Sequence, residues 1–202
     1  CTGTTISISE TTSCSDIEGS GKDTCYFDKM QCSKIESSSL KNSCISELAK
    51  ETQNLDVCEL IQDSTISKGY CTYGISKVTN NVELCSQIDN SVNWKDVCYY
   101  NYATSNNESG YCSDIGNNEK KTDCYTEIAV ATSQAELCLK AEVVESDRCV
   151  LKIAKESQNE SVCPFMDSEF NQDVCYLKVA KIKLDESICE NVKFNQLKED
   201  CI

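Results

Sequence analysis

The chain of 202 residues contains no histidine, a single proline, four phenylalanines and one tryptophan. Without histidine, nucleophilic catalysis of the Ser-His-Asp or Cys-His type is excluded. With so few large apolar side chains, one large hydrophobic core is not expected. Many small contacts reinforced by covalent cross-links are the better prediction.

The 17 cysteines are not spaced like metal ligands. The closest two, Cys25 and Cys32, are seven residues apart, so the chain has no CxxC sequence. Structural zinc sites, iron–sulfur sites and haem attachment need ligands a few residues apart, so we expect no metal and no cofactor. A cysteine content above about 8% is typical of a disulfide scaffold. Because disulfides persist in oxidising compartments, the sequence predicts an extracellular or cell-surface protein.

Negative charge dominates, with 33 acidic and 19 basic residues and a net charge of −14. This charge repels nucleic acid and anionic lipid headgroups, so neither is an expected partner. No apolar run approaches the roughly 18 residues of a transmembrane helix. The sequence contains no signal peptide, so if the protein is exported we expect this chain to be the mature form.

The cysteines after Cys1 fall into two classes that alternate strictly. Class B cysteines are followed three residues later by an apolar residue, and they are Cys14, Cys32, Cys58, Cys85, Cys112, Cys138, Cys163 and Cys189. Class A cysteines are Cys25, Cys44, Cys71, Cys98, Cys124, Cys149, Cys175 and Cys201. The six from Cys44 to Cys175 are followed by an apolar residue at +4 and usually by alanine at +5.

These offsets predict two helices in each repeat. A class A cysteine and its +4 and +5 residues share one side of a helix, where a small alanine lets a neighbouring helix approach closely. Apolar residues at −1 and +3 around the class B cysteines, as at Leu84/Ile88 and Ile188/Val192, form a stripe on a second, shorter helix. Asn, Ser and Asp residues in the polar turn between them are suited to cap this second helix. Pro164 follows Cys163, so that helix should begin near Ser161.

The repeat is therefore helix A, tight turn, short helix B and a looser connection, with a period of 25 to 27 residues. Units of this size must stack in order to bury their apolar faces. We predict an all-α fold, a solenoid of about eight short helix-turn-helix repeats stapled by disulfides. This repeat domain spans residues 14–202, and residues 1–13 form a Ser/Thr-rich tether or extension.

Two disulfide schemes fit the alternation of classes. Pairing each class B cysteine with the next class A cysteine uses all 16 cysteines after Cys1, and we favour it. The bridges would be 14–25, 32–44, 58–71, 85–98, 112–124, 138–149, 163–175 and 189–201. Pairing each class A cysteine with the next class B cysteine would join Cys25 to Cys32 and strand Cys14 and Cys201. Those two cysteines would then link successive molecules into a covalent filament.

Cys1 is left over in the favoured scheme. The chain opens Cys1-Thr2-Gly3-Thr4-Thr5 and stays rich in Ser and Thr as far as Ser15. A mature chain that begins in this way resembles a processed prokaryotic lipoprotein, which implies a lipid on Cys1 and a flexible tether. The alternatives are an ordinary half-cystine or a bridge between the Cys1 residues of two molecules. Membrane contact is expected only through such a lipid.

Catalysis by paired carboxylates is the one enzymatic option that remains. The acidic residues are spread over predicted helix faces and caps, so we assign no catalytic residue and expect no enzyme. Calcium is also considered, because residues 89–96 and 167–173 carry oxygen ligands at alternate positions. The glycine and distal glutamate of an EF-hand are missing, and helix capping is the favoured explanation.

Two sequons, at Asn107 and Asn159, fall in predicted turns between helices A and B. Turns are accessible, so both are candidate glycosylation sites on an exported protein. The alternative is that both asparagines cap helix B.

Nine tyrosines form the other notable set. Four directly follow class A cysteines and five cluster in the middle of the chain, and together they are Tyr26, Tyr70, Tyr73, Tyr99, Tyr100, Tyr102, Tyr111, Tyr125 and Tyr176. Tyrosine-rich faces serve as contact surfaces for proteins or glycans. Packing of rings between repeats is the favoured role for any one of them.

The pattern resembles helical-hairpin repeats of the tetratricopeptide and Sel1 type. It is closer to the cysteine-bearing repeats C-x₄-A…LC-x₂-I of exported archaeal proteins. The resemblance covers residues 14–201, but the period is well short of about 34 residues and the tetratricopeptide Trp/Gly/Tyr signature is absent. The resemblance implies a scaffold for protein contacts.

Two functional hypotheses follow. The first is a structural protein of the cell surface, a self-assembling filament or coat subunit whose partner is another copy of itself. The second is a lipid-anchored binding module that presents a solenoid surface to another surface protein or to a glycan.

Overall fold

A computed structural model describes residues 13–141 and 143–201 of the chain, and this part contains helices and no strand. The α-helices are α1 (Ser20–Asp28), α2 (Ser38–Thr52), α3 (Thr65–Thr79), α4 (Glu83–Ser86), α5 (Trp94–Asn106), α6 (Asn118–Thr132), α7 (Val143–Glu156), α8 (Glu169–Lys183) and α9 (Asn195–Glu199). The 3₁₀ helices are η1 (Cys14–Asp16), η2 (Cys32–Lys34), η3 (Leu55–Leu60), η4 (Ser109–Asp114), η5 (Ala135–Lys140), η6 (Glu160–Phe165) and η7 (Glu186–Asn191). The predicted all-α repeat solenoid is confirmed.

The chain divides into two compact units, Cys1–Lys95 and Asp96–Ile202. In the first unit α2 packs against α3 and η3, and in the second α7 packs against α6 and α8. Each unit therefore stacks its helical repeats in chain order. Cys1 and all but the last residue of the predicted 1–13 extension lie outside the described residues, so both remain predictions.

The predicted apolar face of the A helices is buried. The +4 residues Ile75, Ile128, Ile153 and Val179 are at most 2% exposed. The +5 residues are small and equally buried, and the four most enclosed are Ala49, Ala103, Ala129 and Ala154. Because alanine adds little bulk, a neighbouring element approaches the helix closely at each of these positions.

The B helices differ from the prediction in type. Seven of the eight class B cysteines lie in 3₁₀ helices, and Cys85 lies in the short helix α4. Six residues make only about two turns of 3₁₀ helix, a geometry that proteins use in such short pieces. The +3 residue ends the helix in an extended conformation, and Ile61 and Ile115 at this position are buried. Pro164 lies inside η6, which begins at Glu160, one residue before the predicted start.

The turn between helices A and B is the same in six repeats. The ninth residue after each class A cysteine has a positive φ of 50° to 57°, and these residues are Gln53, Asn80, Asn107, Ser133, Gln158 and Leu184. A left-handed residue at this point ends an α-helix. The next residue then caps helix B in several repeats, as Asn54 does by accepting from the Asp56 amide. The predicted capping by turn residues is confirmed at Asn54, Asn159 and Asp185.

Candidate functional site

Within each of the two units, disulfides join helix B to the A helix that follows it. Seven bridges follow the pairing of each class B cysteine with the next class A cysteine, and they are 14–25, 32–44, 58–71, 112–124, 138–149, 163–175 and 189–201. Cys85 and Cys98 are disulfide-bonded as well. All 16 cysteines are at most 8% exposed. The many disulfides indicate an oxidising, extracellular environment.

A second link between repeats was missed by the sequence analysis. Asp96, near the start of α5, accepts from the backbone amides of Gly116 at 2.8 Å and Asn117 at 2.9 Å. Asn117 is the N-cap of α6, so one carboxylate fixes the start of the next A helix. Asp23 does the same for α2 through the amides of Glu36 and Ser37.

The same clamp recurs two residues before other class A cysteines. Asp173 is 1% exposed and accepts from the amides of Lys193 at 2.9 Å and Phe194 at 2.7 Å. Asp147 accepts from the amide of Asp167 and from the side chain of Asn171. We call the residue two before a class A cysteine the clamp position. A recurring Asp-x-Cys sequence is the signal that would have found it.

Clamp positions without aspartate use other contacts. Asn42 donates its side-chain amide to Asp63 at 2.9 Å. The clamp position before Cys71 is Gly69, which has no side chain. A Cβ atom there would lie 3.1 Å from Val92 Cγ2 and 3.4 Å from Trp94 Cβ. The absence of a side chain therefore lets Trp94 lie against α3.

Three aromatic rings meet at that place in the first unit. The ring of Trp94 stacks on Tyr73 with centroids 5.5 Å apart, and Tyr70 meets Trp94 edge-on at 5.0 Å. Tyr70 and Trp94 line an open cleft of 190 Å³, which we call the aromatic cleft. Its other lining residues are Asn42, Ser43, Ser46, Ile66 and Ser67. A larger open cleft of 580 Å³ in the same unit is lined by Lys68 and Glu59, which form an ion pair at 2.5 Å.

Most other tyrosines pack within their unit. Tyr26, Tyr99 and Tyr125, which follow class A cysteines, are at most 8% exposed. Burial raises the pKa of the Tyr99 and Tyr125 phenols, and the nearby Asp114 carboxylate raises it further. Burial and a hydrogen bond to Glu127 raise the pKa of Tyr100 to about 12. These phenols are therefore neutral structural groups at physiological pH.

The two candidate glycosylation sites occupy different positions in their turns. Asn159 is exposed, and its side-chain oxygen caps η6 by accepting from the Ser161 amide at 3.0 Å. Asn107 is exposed at the left-handed end of α5, and the N-cap of η4 is Glu108. Capping therefore applies to Asn159 alone. Glycosylation of either asparagine remains a prediction.

The acidic connections that were considered for calcium bind backbone amides or the lysine ammonium. Asp89 accepts from the Ser91 amide at 2.7 Å. A hydrogen bond from the Ser91 hydroxyl and this amide bond lower the pKa of Asp89. Asn90 accepts from Lys95 at 2.7 Å, and Asp96 and Asp173 are clamps. Within residues 13–141 and 143–201, no group of three or more Cys, Asp or Glu side chains is arranged to hold a metal ion. Capping accounts for Asp89, and clamping accounts for Asp96 and Asp173.

No helix in the described part of the chain is long and apolar enough to cross a membrane. Comparisons of the chain with protein-family models, with curated proteins and with solved structures found no match. The tetratricopeptide and Sel1 likeness and the archaeal origin therefore remain predictions from the repeat pattern. What the fold defines is a class, the disulfide-stapled helical-repeat protein.

Proposed function

We propose that the protein is a non-enzymatic structural component of the cell surface that assembles with further copies of itself. The observation that carries this proposal is the double connection between repeats. Buried disulfides join helix B of one repeat to helix A of the next, and aspartate clamps join one A helix to the start of the following A helix. A loop of about 12 residues closed by a disulfide contributes roughly 2–3 kcal/mol.

Such connections suit a protein that must keep its shape outside the cell. The large apolar side chains in the fully buried core are few, so covalent links carry much of the stability. The net charge of −14 keeps an exposed surface soluble. The four clamp aspartates hold backbone amides and so serve the fold, which supports a role without catalysis.

Assembly is tested on protein purified from its native source without reductant. Analytical ultracentrifugation and negative-stain electron microscopy should show polymers or sheets of regular repeat. Mass spectrometry of non-reduced peptides should place Cys1 in a bridge between molecules, if the assembly is covalent. A monomer at all concentrations up to the millimolar range would contradict self-assembly.

The second candidate is a lipid-anchored binding module, and the aromatic cleft is the observation that favours it. Exposed aromatic rings beside hydroxyl and amide groups are typical of contact surfaces. In this case the same mass spectrum should show a diacyl or diether lipid on Cys1 in a monomeric protein. A bare or disulfide-bridged Cys1 would contradict the lipid anchor.

A further inference from the structure

We propose that the aromatic cleft beside α3 binds a neutral saccharide by stacking a sugar ring on Tyr70 and Trp94. This site deepens the second candidate function and rests on it. The ligand class follows from the chemistry of the seven lining residues, from the exposure of the rings and from the charge of the chain.

The lining combines two kinds of group that a sugar ring requires. The rings of Tyr70 and Trp94 and the side chain of Ile66 provide apolar surface, and Tyr70 and Ile66 are 40% and 63% exposed. The C–H face of a pyranose stacks on such rings, because their π faces are weakly negative. Asn42 and Ser43 already donate to Asp63 and to the Ser39 carbonyl, so their side-chain oxygens serve as acceptors for sugar hydroxyls. Ser67 adds a further hydroxyl group to the lining.

The two rings are held in place before any ligand arrives. Tyr73 stacks on Trp94 at an interplanar angle of 18°, and Gly69 lets the tryptophan lie against α3. Tyr70 lies on the same helix as Tyr73 and meets Trp94 edge-on. A preorganised site avoids the entropic cost of ordering its side chains on binding.

Charge decides between neutral and ionised ligands. None of the seven lining side chains carries a charge, and the nearby Lys50 ammonium lies outside the lining at 6.0 Å from the centroid of the Tyr70 ring. The chain as a whole has a net charge of −14, which repels uronic acids, sulfated sugars and acidic peptides. A sugar ring offers hydroxyl donors to the acceptor oxygens of Ser43 and Ser67, which an apolar peptide does not.

Trp94 is the only tryptophan of the chain, so its fluorescence reports directly on the cleft. The test titrates the full-length disulfide-bonded protein with neutral gluco-, manno- and N-acetylglucosaminyl oligosaccharides. At least one of these should change the emission saturably at millimolar concentration or below. Tyr70→Ala should weaken that binding about tenfold, and Tyr70→Phe should keep it, because the ring remains.

Phe170→Ala is the matched control, because Phe170 is an aromatic residue 52% exposed in the other unit. It should bind as the unaltered protein does. Circular dichroism should show that all three variants keep their helices. Absence of any saturable Trp94 response, equal binding by Tyr70→Ala, or a response only to acidic sugars or apolar peptides would overturn the saccharide site. A lipid found on Cys1 together with no Trp94 response would reject this site and leave the lipid-anchored module standing.

Discussion

At the scale of single residues, the six regular turns depend on a left-handed backbone without glycine. Gln53, Asn80, Asn107, Ser133, Gln158 and Leu184 all have positive φ. For a residue other than glycine, this conformation costs roughly 1–2 kcal/mol, and asparagine adopts it more readily than most residues. Leucine is the least suited of the set, and Leu184 is 90% exposed, so no burial of its side chain offsets the strain.

Replacing Leu184 with glycine should therefore stabilise the protein. We expect the free energy of unfolding to rise by about 0.5–1 kcal/mol, because glycine adopts positive φ without strain but loses more entropy on folding. Urea denaturation of the disulfide-bonded protein, followed by circular dichroism, measures the change. Leu60→Gly is the matched control, since Leu60 is 61% exposed in η3 and has no positive φ. It should destabilise, and a loss of stability in Leu184→Gly as well would contradict the account.

Asp23 provides a second test at this scale. Hydrogen bonds from the amides of Glu36 and Ser37 hold the pKa of its carboxyl below 3.8. A carboxyl whose pKa is lowered by folding adds stability above pH 3.8, and that stability is lost as the pH falls through the lowered pKa. An NMR titration of Asp23 should give a midpoint below 3.8. In the same titration, the exchange protection of the two amides should fall with the carboxylate. A midpoint at or above 3.8 would show that the clamp does not form.

At the scale of helices, the clamp explains how one A helix fixes the start of the next. The carboxylate lies near the N-terminus of its own helix, where the helix dipole also favours negative charge. At Asp23 and Asp96 each carboxylate oxygen accepts from one backbone amide just before the following helix. At Asp173 a single oxygen, Oδ2, accepts from two such amides. Hydrogen bonds to a charged group are about twice as strong as those between neutral groups.

Asp173 is the clamp to test, because it is almost fully buried. Asp173→Ala should lower the free energy of unfolding by about 2–4 kcal/mol, because the backbone amides of Lys193 and Phe194 would lose their acceptor. Asp173→Asn should lower the free energy of unfolding by less, because both amides donate to Oδ2 and the asparagine side-chain oxygen can accept at the same place. Urea denaturation measures both variants. Equal losses for the two would contradict this account, because asparagine keeps both the volume of aspartate and an acceptor oxygen and lacks only the charge.

At the scale of the whole molecule, the alternation of cysteines was enough to predict an all-α repeat fold and its helix faces. Spacing did not predict 3₁₀ geometry for helix B, since the −1 and +3 positions fit either helix when it is only six residues long. The clamp was missed because an acidic residue near the start of a helix is common, and Asp-x-Cys fits that pattern. Only the structure shows that Asp96 accepts from the Asn117 amide. The aromatic cleft was missed for a similar reason, because nothing in the chain links Gly69 to Trp94 until the repeats stack.

The same scale shows what the acids and the aromatic residues do in the fold. Acids that were considered as calcium ligands, such as Asp89 and Asp96, hold backbone amides. Tyrosines that follow class A cysteines fill space between helices, whereas Tyr70 and Trp94 face an open cleft. The distinction between buried and exposed aromatic residues was not available from their positions in the sequence.

The central claim is that each helix B is stapled to the A helix that follows it. Peptide mapping of the native protein by mass spectrometry, after proteolysis without reductant, tests this claim most directly. The account predicts linked peptides for Cys32–Cys44, Cys58–Cys71 and Cys163–Cys175, and for the corresponding pairs in the other repeats. Peptides that instead join Cys44 to Cys58 or Cys149 to Cys163 would contradict it, because those links place the bridge across the turn between helices A and B.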